Sequence, residues 1–383
     1  MAQTWPVSRR RRALLKVVDF VGRIAFAPFR ALRRVPSGGY GIRRILVIEP
    51  WNIGDVVLAT PILSELRARF PDAHIAILAK PYARELLEES GLVDEVIECD
   101  LPWTAQKNKY RVTPAVVRDL RGLIRRLRRQ RFDVTLDARM DIRSNVLAAV
   151  IGARRRIGYD VGGGGWLLTH ALPSDRDNSH KIDDWLALLE LLPETQASAA
   201  ERPRPTLVVT KDERERARQK LTEAGARARP LIAYHPGGSH PGKRWPRQHF
   251  EELIRGLNTE VGGSHIVFLG PDEKGSSGWP SSAIIFREPL RELMALLSCC
   301  DVLVCNDSGP MHVADALGVP VVAIFEIGNP QWFGPSGERA TVIRGELAGR
   351  AMSAAPLEVP PRNPVGVSRV AAAVKELLSE PSL

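Results

Sequence analysis

Short apolar runs alternate with segments of helical periodicity along most of this 383-residue chain. The runs at residues 45–48, 74–80, 93–99 and 132–138 are separated by more polar segments, among them the long arginine-rich VTPAVVRDLRGLIRRLRRQ. A strand that is buried on both faces shows such a run, and a helix usually connects one parallel strand to the next. The alternation therefore predicts an α/β fold with parallel, doubly wound sheets.

The alternation is interrupted once, at residues 193–205, where the sequence PETQASAAERPRP is rich in proline, alanine and polar residues. It then resumes, with predicted strands at 205–209, 231–235, 265–269, 302–305 and, as the last clear one, 319–325. We therefore predict an N-terminal segment (1–42), two Rossmann-like domains (43–195 and 206–383) and a linker (196–205). Ligands in such sheets bind outside the carboxyl ends of the strands, so the loops at those ends are the candidates for function.

Positive charge is concentrated in two parts of the chain, whose overall net charge is +10. Residues 1–34 contain nine Lys or Arg and one Asp, a net charge of +8. Residues 101–160 contain fifteen Lys or Arg and five Asp, a net charge of +10, so the remainder of the chain is acidic. This asymmetry indicates an anionic partner, and nucleic acid, acidic lipid headgroups and a phosphorylated substrate all qualify.

The N-terminal segment combines basic residues with apolar residues at helical spacing. Lys16, Asp19 and Arg23 interrupt the apolar stretch that a secretory signal would need. A basic amphipathic helix of this kind can lie in a membrane interface, or it can pack on the protein's own surface. The sequence contains no run of about 20 uncharged apolar residues, the length that spans a bilayer.

The four cysteines show neither a CxxC pair nor the spacing of metal ligands. We interpret Cys99, Cys299, Cys300 and Cys305 as small buried hydrophobes in a reducing compartment. We therefore expect a cytoplasmic protein, which the N-terminal segment could hold as a peripheral protein at the inner face of the cytoplasmic membrane.

The loop at residues 52–55 separates the first predicted strand from its helix. A carboxylate at the carboxyl end of a strand, such as Asp55, can act as a base toward a bound ligand. Asp is equally a preferred N-cap, because its side chain accepts hydrogen bonds from the first backbone N–H groups of a helix. The spacing alone leaves both interpretations open.

A glycine-rich loop follows the strand predicted at 231–235, and its residues 237–243 have the pattern G-x-x-x-x-G-K. A P-loop needs Ser or Thr next and an immediate helix, whereas Arg244 follows here and Pro246 delays the helix, so we exclude a P-loop NTPase. The loop still suits a polyphosphate, because glycines let backbone N–H groups approach and Lys243 supplies positive charge. The alternative is a glycine-rich turn with a solvated lysine.

The loop NDSGPMH, at residues 306–312, leads from an apolar strand directly into a helix. Backbone donors at the helix N-terminus and the Ser308 hydroxyl form a natural anion site. Alternatively, Asp307 or Ser308 only caps the helix, and His312 is a histidine of the core. Glu273, after the strand predicted at 265–269, is a weaker candidate that could bond a ribose or a base.

Three segments, in this order and spacing, resemble a known family: ILVIEPWNIGDVVLATPILSELRARFPDAHI, AYHPGGSHPGKRWPRQHFEEL and VCNDSGPMHVADALGVPVVAIF. Together they resemble glycosyltransferase family nine, the ADP-heptose:lipopolysaccharide heptosyltransferases. The resemblance covers about residues 43–345 and leaves the basic N-terminal segment outside it. It implies a GT-B fold, in which two Rossmann-like domains with parallel sheets face a central cleft. The N-terminal domain would then take the acceptor and the C-terminal domain the nucleotide sugar.

The resemblance also implies roles for individual residues. Asp55 matches the proposed general base of the family. The candidates for binding the donor are Gly237, Gly238, Lys243, Glu273, Asp307, Ser308, Gly309 and His312. Asn52, Gly54, Arg139 and Arg143 are candidates for binding the acceptor, although the two arginines could equally be solvated loop residues.

The family transfers heptose from ADP-heptose to the inner core of lipopolysaccharide, inverts the anomeric centre, and needs no metal or other cofactor. We accordingly expect a nucleotide sugar and a lipid-linked, anionic glycan acceptor as partners. Metal ligands of the D-x-D type are not evident in a suitable loop, since Asp137 is followed by Ala138 and Arg139. We expect no nucleic acid partner, because the sequence contains no RNA- or DNA-binding module.

One departure from the family pattern lies at residues 325–330, where FEIGNP stands in place of the frequent F-G-x-T-D-P. Glu326 replaces a glycine, and Gly328-Asn329 replaces the Thr-Asp pair. An enzyme of the same fold with a different nucleotide sugar or glycan acceptor is therefore the main alternative. The other alternative is a non-enzymatic protein that binds nucleic acid or an anionic surface through the basic segments.

Overall fold

The computed structural model describes residues 22, 24, 41–105, 110–161, 163–173, 179–193, 202–270, 273, 278–345 and 364–380. The predicted N-terminal amphipathic helix lies outside these residues, except for positions 22 and 24, and so does most of the predicted linker. The chain divides into two compact units. Unit 1 comprises Met1–Arg84 and Ser90–Pro203, and unit 2 comprises Glu85–Glu89 and Arg204–Leu383.

Unit 1 contains a parallel sheet of six strands among its described residues. Its strands are β1 Arg44–Glu49, β2 His74–Ala79, β3 Glu95–Glu98, β4 Val134–Leu136, β5 Arg155–Tyr159 and β6 His170–Leu172. Their spatial order is β3-β2-β1-β4-β5-β6, which is the strand order of the Rossmann fold. Strand β1 therefore has β2 on one side and β4 on the other, and the direction of winding reverses between β1 and β4.

The helices of unit 1 follow the predicted alternation with the strands. They are α1 Ile53–Leu58, α2 Thr60–Arg69, α3 Tyr82–Leu87, α4 Pro114–Arg129, α5 Ile142–Ile151 and α6 Lys181–Ala187, of which α3 continues into the start of unit 2. Local sequence fixes their ends: the Thr113 side chain caps α4 by accepting from the Val116 N–H, and Pro114 starts the helix. Gly152, at φ 82°, closes α5 in the left-handed conformation that glycine favours.

Unit 2 repeats the same topology with different residues. Its strands are β7 Leu231–His235, β8 Ser264–Phe268, β9 Ala283–Phe286, β10 Val302–Asn306, β11 Val321–Phe325 and β12 Ala340–Arg344. They form a parallel sheet in the order β12-β11-β10-β7-β8-β9, so the winding reverses between β7 and β10. The helices are α7 Lys211–Glu223, α8 Arg247–Glu260, α9 Leu290–Leu297, α10 Gly309–Ala316, α11 Pro330–Phe333 and α12 Val367–Ser379.

Each unit has its own apolar core around its sheet. In unit 1, Leu46, Ile48 and Leu78 of the central strands pack with Leu127 of α4. In unit 2, strand residues such as Ile232 and Val304 pack with residues of α8 and α12. The free energy gained by burying these side chains is proportional to the apolar area removed from water, about 25 cal/mol per Å².

The two sheets confirm the predicted fold class, with one strand predicted wrongly and four missed. Residues 205–209 form no strand, although the Leu207 N–H donates to the Ala316 carbonyl. The missed strands are β5, β6, β9 and β12. Three of these lie at sheet edges, where one side of the strand is less buried and the apolar run is shorter or mixed with polar residues.

Two further sequence predictions concern the described residues. All four cysteines are buried and unbridged, as predicted. In the described part of the chain, no helix combines the length and the apolar character that crossing a bilayer would require.

Candidate active site

All candidate residues except Glu273 lie at the point where the winding of their sheet reverses. In unit 1, residues 52–55 follow β1 and residues 137–143 follow the neighbouring strand β4. In unit 2, the glycine-rich loop follows β7, and Asp307 follows the neighbouring strand β10. At this point the connections that follow two neighbouring parallel strands lead in opposite directions. The loops at the carboxyl ends of the two strands are therefore separated by a crevice, and such sheets bind ligands there.

In unit 1, Asp55 forms a buried ion pair with Arg139. Arg139 Nη1 donates to Asp55 Oδ1 at 2.7 Å, and the two side chains are only 8% and 6% exposed. The other carboxylate oxygen, Oδ2, accepts from the backbone N–H and the side-chain amide of Asn52, each at 3.1 Å. Burial alone would raise the pKa of Asp55, but the positive charges of Arg139 and Lys181 outweigh it and hold that pKa below its usual value.

The structure also shows how Asp55 contributes to the start of helix α1. Asn52, and not Asp55, occupies the N-cap position, with extended backbone angles. Asp55 is the third residue of the helix and bonds back to the Asn52 N–H, as the acidic member of a capping box does. Gly54 is buried between them as the second helical residue. Asp55 therefore supports the helix and presents an ionised carboxylate at the carboxyl end of β1.

Arg139 and Arg143 both contact the ring of Trp51, but their environments differ. The Arg139 guanidinium lies 4.3 Å from the ring centroid, and its side chain is 6% exposed. The Arg143 guanidinium lies 5.6 Å from the same ring, is 31% exposed, and pairs with Asp141. Arg143 also donates to the Tyr110 hydroxyl at 2.8 Å. Neither arginine is thus a solvated loop residue, and Arg143 is the more accessible of the two.

Three further ionisable groups surround the Asp55–Arg139 pair, and sequence reasoning assigned a role to none of them. Glu49, the last residue of β1, is fully buried, and neither of its carboxylate oxygens has a hydrogen-bond partner among the described residues. Burial and the charge of Asp55 raise the pKa of Glu49 from 4.5 to about 8. Burial likewise raises the pKa of Asp137 from 3.8 to about 6. Of the two, Glu49 holds its proton at neutral pH, whereas Asp137 loses its proton as the pH rises through about 6.

Lys181, the first residue of α6, is the third of these groups. Its side chain is buried, its ammonium group donates to the Ala138 carbonyl, and it lies 5.6 Å from the Trp185 ring. Burial lowers its pKa, and Glu49 opposes that change when Glu49 is ionised. Lys181 follows Asp55 by more than a hundred residues, and only the fold shows that they interact. We refer to Glu49, Asp55, Asp137, Arg139 and Lys181 as the β1–β4 charge cluster.

In unit 2, the glycine-rich loop packs against Glu273. Gly237 lies so close to Glu273 and His235 that a Cβ at this position would collide with the Glu273 carboxylate. Glu273 Oε2 accepts a hydrogen bond from the Gly270 N–H at 2.7 Å. The buried His235 bonds through Nδ1 to the Phe268 carbonyl, and burial lowers its pKa. The structure thus brings the predicted residues Gly237 and Glu273 together.

Asn306, the last residue of β10, holds the glycine-rich loop in place. Its side-chain amide donates to the carbonyl oxygens of Pro236 and Gly237 at 2.8 and 3.0 Å. Its Oδ1 accepts from the Trp245 N–H at 3.0 Å. Sequence analysis did not single out Asn306, although it stands directly before Asp307. A buried amide that satisfies three backbone groups is a positioning residue for this loop.

Lys243 and Asp307 form the ion pair of unit 2. Lys243 Nζ lies 2.6 Å from Asp307 Oδ2, and the side chains are 24% and 8% exposed. Gly238, the other predicted loop glycine, lies beside Lys243 and Arg244. Lys243 ends the short 3-10 helix Pro241–Lys243, and α8 begins only at Arg247, which agrees with the exclusion of a P-loop.

The other predicted residues of this loop lie at the start of α10. Ser308 is its N-cap residue, and the Ser308 hydroxyl is buried without a hydrogen-bond partner among the described residues. Gly309 is the first helical residue, and His312 is buried in the first turn. The N–H groups of a helical first turn have no partner within the helix, so they can bind an anion.

The segment that departs from the family pattern has a structural explanation. Glu326 is buried, its Oε1 accepts from the Val365 N–H at 3.1 Å, and burial raises its pKa. Gly328 adopts φ 107°, and a Cβ there would lie 2.9 Å from Asp307 Oδ2. A threonine at position 328 would therefore be strained and would crowd Asp307. Glu326 supports the fold, and Gly328 leaves room for the Lys243–Asp307 pair.

Among the described residues, no cluster of three or more His, Cys, Asp or Glu side chains has an arrangement that could hold a metal ion. The chemical groups present at the two crevices are carboxylates, cations and backbone N–H groups. They can exchange protons and bind anions.

The chain is similar to known proteins in both sequence and structure. Residues 120–354 match the sequence model of the family described as glycosyltransferase family 9 (heptosyltransferase). The chain is 28% identical over 316 residues to lipopolysaccharide heptosyltransferase 2 of Salmonella typhimurium, which covers 79% of this chain and 88% of that protein. The structure of E. coli ADP-heptose lipopolysaccharide heptosyltransferase II aligns with a TM-score of 0.66 and 25% identity, over 88% of this chain and 98% of that one.

A second solved structure shows the shared fold alone. The glycosyl transferase family 9 protein of Veillonella parvula aligns with a TM-score of 0.73 and 24% identity, over 90% of this chain and 99% of that one. Together with the two parallel sheets, these alignments confirm the predicted GT-B fold class.

Proposed function

Because this chain belongs to glycosyltransferase family 9 and is a glycosyltransferase, we propose that it transfers heptose from ADP-heptose to the inner core of lipopolysaccharide. The observation that carries the proposal is the similarity to lipopolysaccharide heptosyltransferase 2 along 79% of the chain. The partners would be a nucleotide sugar and a lipid-linked, anionic glycan acceptor. Since such an acceptor resides in a membrane, the enzyme would work at the inner face of the cytoplasmic membrane.

On the acceptor side, Asp55 would be the general base. It would take the proton of the acceptor hydroxyl while the hydroxyl oxygen attacks the anomeric carbon opposite the departing diphosphate, and this geometry inverts the anomeric centre. The positive charge of Arg139 keeps Asp55 ionised at neutral pH, as a base must be before the reaction. Arg143, which is partly exposed beside Trp51, would bind an anionic group of the acceptor.

On the donor side, Lys243 and the first N–H groups of α10 would stabilise the charge that develops on the departing ADP. The lack of side chains at Gly237 and Gly238 would let backbone N–H groups of the loop approach the diphosphate. A lysine and helix-end donors can supply this stabilisation without a metal ion, so we propose a metal-independent reaction.

Asp55→Asn tests the proposed base, because it keeps the size of the side chain and removes its basicity. We expect the rate of heptose transfer from ADP-heptose to a purified inner-core acceptor to fall by about 10²-fold or more, with little change in donor affinity. Asp212→Asn, an exposed carboxylate in the first turn of α7, is the matched control and should retain full activity. Wild-type turnover in Asp55→Asn would mean that Asp55 serves only to support helix α1.

The departure at Glu326 and Gly328 favours a second candidate, the same reaction with a different nucleotide sugar. Thermal unfolding with a panel of ADP-, UDP- and GDP-sugars separates the two, because a ligand that binds the folded state raises the melting temperature. Stabilisation by ADP-heptose above all others supports the first candidate. Stabilisation by a UDP- or GDP-sugar, with none by ADP-heptose, would replace it with the second.

A further inference from the structure

Helix α4 of unit 1 presents two opposite faces. Leu120, Leu123 and Leu127 face the apolar core around the sheet. Arg118, Arg121, Arg125 and Arg128 recur at intervals of three or four residues and are exposed on the other side. At 100° per residue, these four arginines fall within about 80° of one another around the helix axis. We call the face of Arg118, Arg121, Arg125, Arg128 and Arg129 the α4 basic face.

In the described part of the chain, a single carboxylate lies within salt-bridge distance of the α4 basic face. Arg118 pairs with the adjacent Asp119, and both side chains are more than two-thirds exposed. Among the described residues, no carboxylate lies within salt-bridge distance of Arg121, Arg125, Arg128 or Arg129. Five arginines close together on one helix repel one another, so a protein surface of this kind is stabilised by an anionic partner.

Apolar side chains lie beside these arginines at the N-terminal end of the helix. Val112 is 68% exposed and Tyr110 is 57% exposed. Val112, Pro114 and Val117 line a shallow cavity of about 450 Å³, together with Arg118, Arg121 and Arg125. Arginines beside exposed apolar side chains are typical of a surface that lies in a membrane interface, where the apolar groups enter the acyl boundary and the cations meet the headgroups.

A residue shortly before the N-terminal end of α4 contacts the proposed acceptor site. Tyr110, just before the helix, accepts a hydrogen bond from Arg143 at 2.8 Å. Arg143 and Arg139 both contact the Trp51 ring, and Arg139 pairs with Asp55. A bilayer in contact with this end of α4 would therefore lie near the residues that we propose bind the acceptor.

We propose that the α4 basic face docks unit 1 onto an anionic phospholipid bilayer. The arginines bind phosphate groups of the headgroups, and Val112 and Val117 enter the interface. The choice of a bilayer over another anionic surface rests in part on the proposed lipid-linked acceptor, whereas the basic and apolar character of the face does not depend on it. The proposal concerns residues other than the N-terminal segment, and it holds with or without that segment.

Co-sedimentation with vesicles tests the docking surface directly. The probes are vesicles of phosphatidylcholine alone and vesicles of phosphatidylcholine with about a third phosphatidylglycerol. Each kind of vesicle is tested with the full chain and with the chain lacking residues 1–34. The variant is Arg121→Glu with Arg125→Glu. The matched control is Arg216→Glu with Arg218→Glu on the exposed side of α7 in unit 2, which changes the net charge by the same amount.

We expect the α4 variant to bind anionic vesicles at least about 25-fold more weakly, because each basic residue near an anionic leaflet contributes roughly fivefold to binding. The α7 control should bind within about twofold of the wild type, and no variant should change the melting temperature. Equal losses in both variants would mean that net charge alone drives binding, and unchanged binding of the α4 variant in both chain lengths would equally overturn the proposal. Binding to RNA in place of vesicles, lost in the α4 variant, would also overturn it.

Transfer assays distinguish this proposal from the proposed function. The α4 variant should be slow on an acceptor embedded in anionic vesicles and should match the wild type on a short acceptor without a lipid. If the wild type transfers heptose to neither acceptor, the proposed function fails, while the vesicle binding still decides the docking surface. If the α4 variant is equally slow on both acceptors, the arginines act in the reaction and not in docking.

Discussion

Within the β1–β4 charge cluster, the environment of Glu49 is the least favourable for a charge. The variant Glu49→Gln removes its carboxyl group. Glu49 is fully buried, its carboxylate oxygens have no hydrogen-bond partner among the described residues, and Asp55 adds a like charge nearby. These conditions raise the pKa of Glu49 from 4.5 to about 8, so it is protonated in the folded state at neutral pH. Glutamine has nearly the same shape and stays neutral at every pH.

The size of the effect follows from proton linkage. The folded state keeps the Glu49 proton between pH 4.5 and about 8, whereas the unfolded state has lost it. Stability is therefore lost as the pH rises through this range, by about 1.4 kcal/mol per pH unit for this group. Glutamine does not titrate, so Glu49→Gln should gain stability relative to the wild type by about 4 kcal/mol between roughly pH 5 and pH 8.

The assay is urea unfolding of wild type and variant at several pH values in this range. Asp137, whose pKa is about 6, titrates in both proteins and contributes to both free energies of unfolding with the same sign. The difference between the two free energies therefore isolates the titration of Glu49. Glu98→Gln, which removes an exposed carboxylate at the end of β3, is the control and should give a nearly constant difference. If the Glu49→Gln difference is also constant with pH, Glu49 is ionised in the folded protein and the assignment is refuted.

Three further predictions concern the donor loop, the metal-independent reaction and the N-terminal segment. Lys243→Ala should weaken the binding of both ADP and ADP-heptose by about 1.5–3 kcal/mol, measured by calorimetry, because it removes a charge-assisted contact. Transfer should continue in EDTA, and an absolute requirement for Mg²⁺ or Mn²⁺ would contradict the metal-independent mechanism. Deleting residues 1–34, which carry a net charge of +8, should weaken vesicle binding without abolishing it, because the α4 basic face remains. A lower melting temperature with unchanged vesicle binding would show instead that this segment packs on the folded protein.

The sequence predicts the central strands and the polar loops that follow them, because both are local patterns. A continuous apolar run such as residues 45–48 indicates a strand buried on both faces, and the loop after it is polar because it faces solvent or a ligand. The same holds for β10 and Asp307. The strand order of each sheet then brings the loops after β1 and β4, and those after β7 and β10, to neighbouring positions.

The remaining site residues could not be predicted, because their environments depend on contacts that are distant in sequence. Glu49 reads as the polar end of a strand, and Lys181 reads as a basic residue at the start of a helix. Their burial and their interaction with Asp55 arise only when β1, β4 and α6 have packed together. Asn306 is a different case, since its place at the end of a strand, directly before Asp307, was visible but its bonds to the glycine-rich loop were not.

The two units place a carboxylate and a cation at the same topological position, but in opposite order and with different burial. In unit 1 the carboxylate Asp55 follows the first strand and Arg139 follows the fourth, and both are less than a tenth exposed. In unit 2 the cation Lys243 follows the first strand and Asp307 the fourth, and Lys243 is 24% exposed. Separating a buried pair leaves an uncompensated charge, whereas a partly exposed lysine can exchange a carboxylate for a phosphate at little cost. Lys243 is therefore suited to bind and release an anionic ligand, and Arg139 is suited to hold Asp55 ionised and in place.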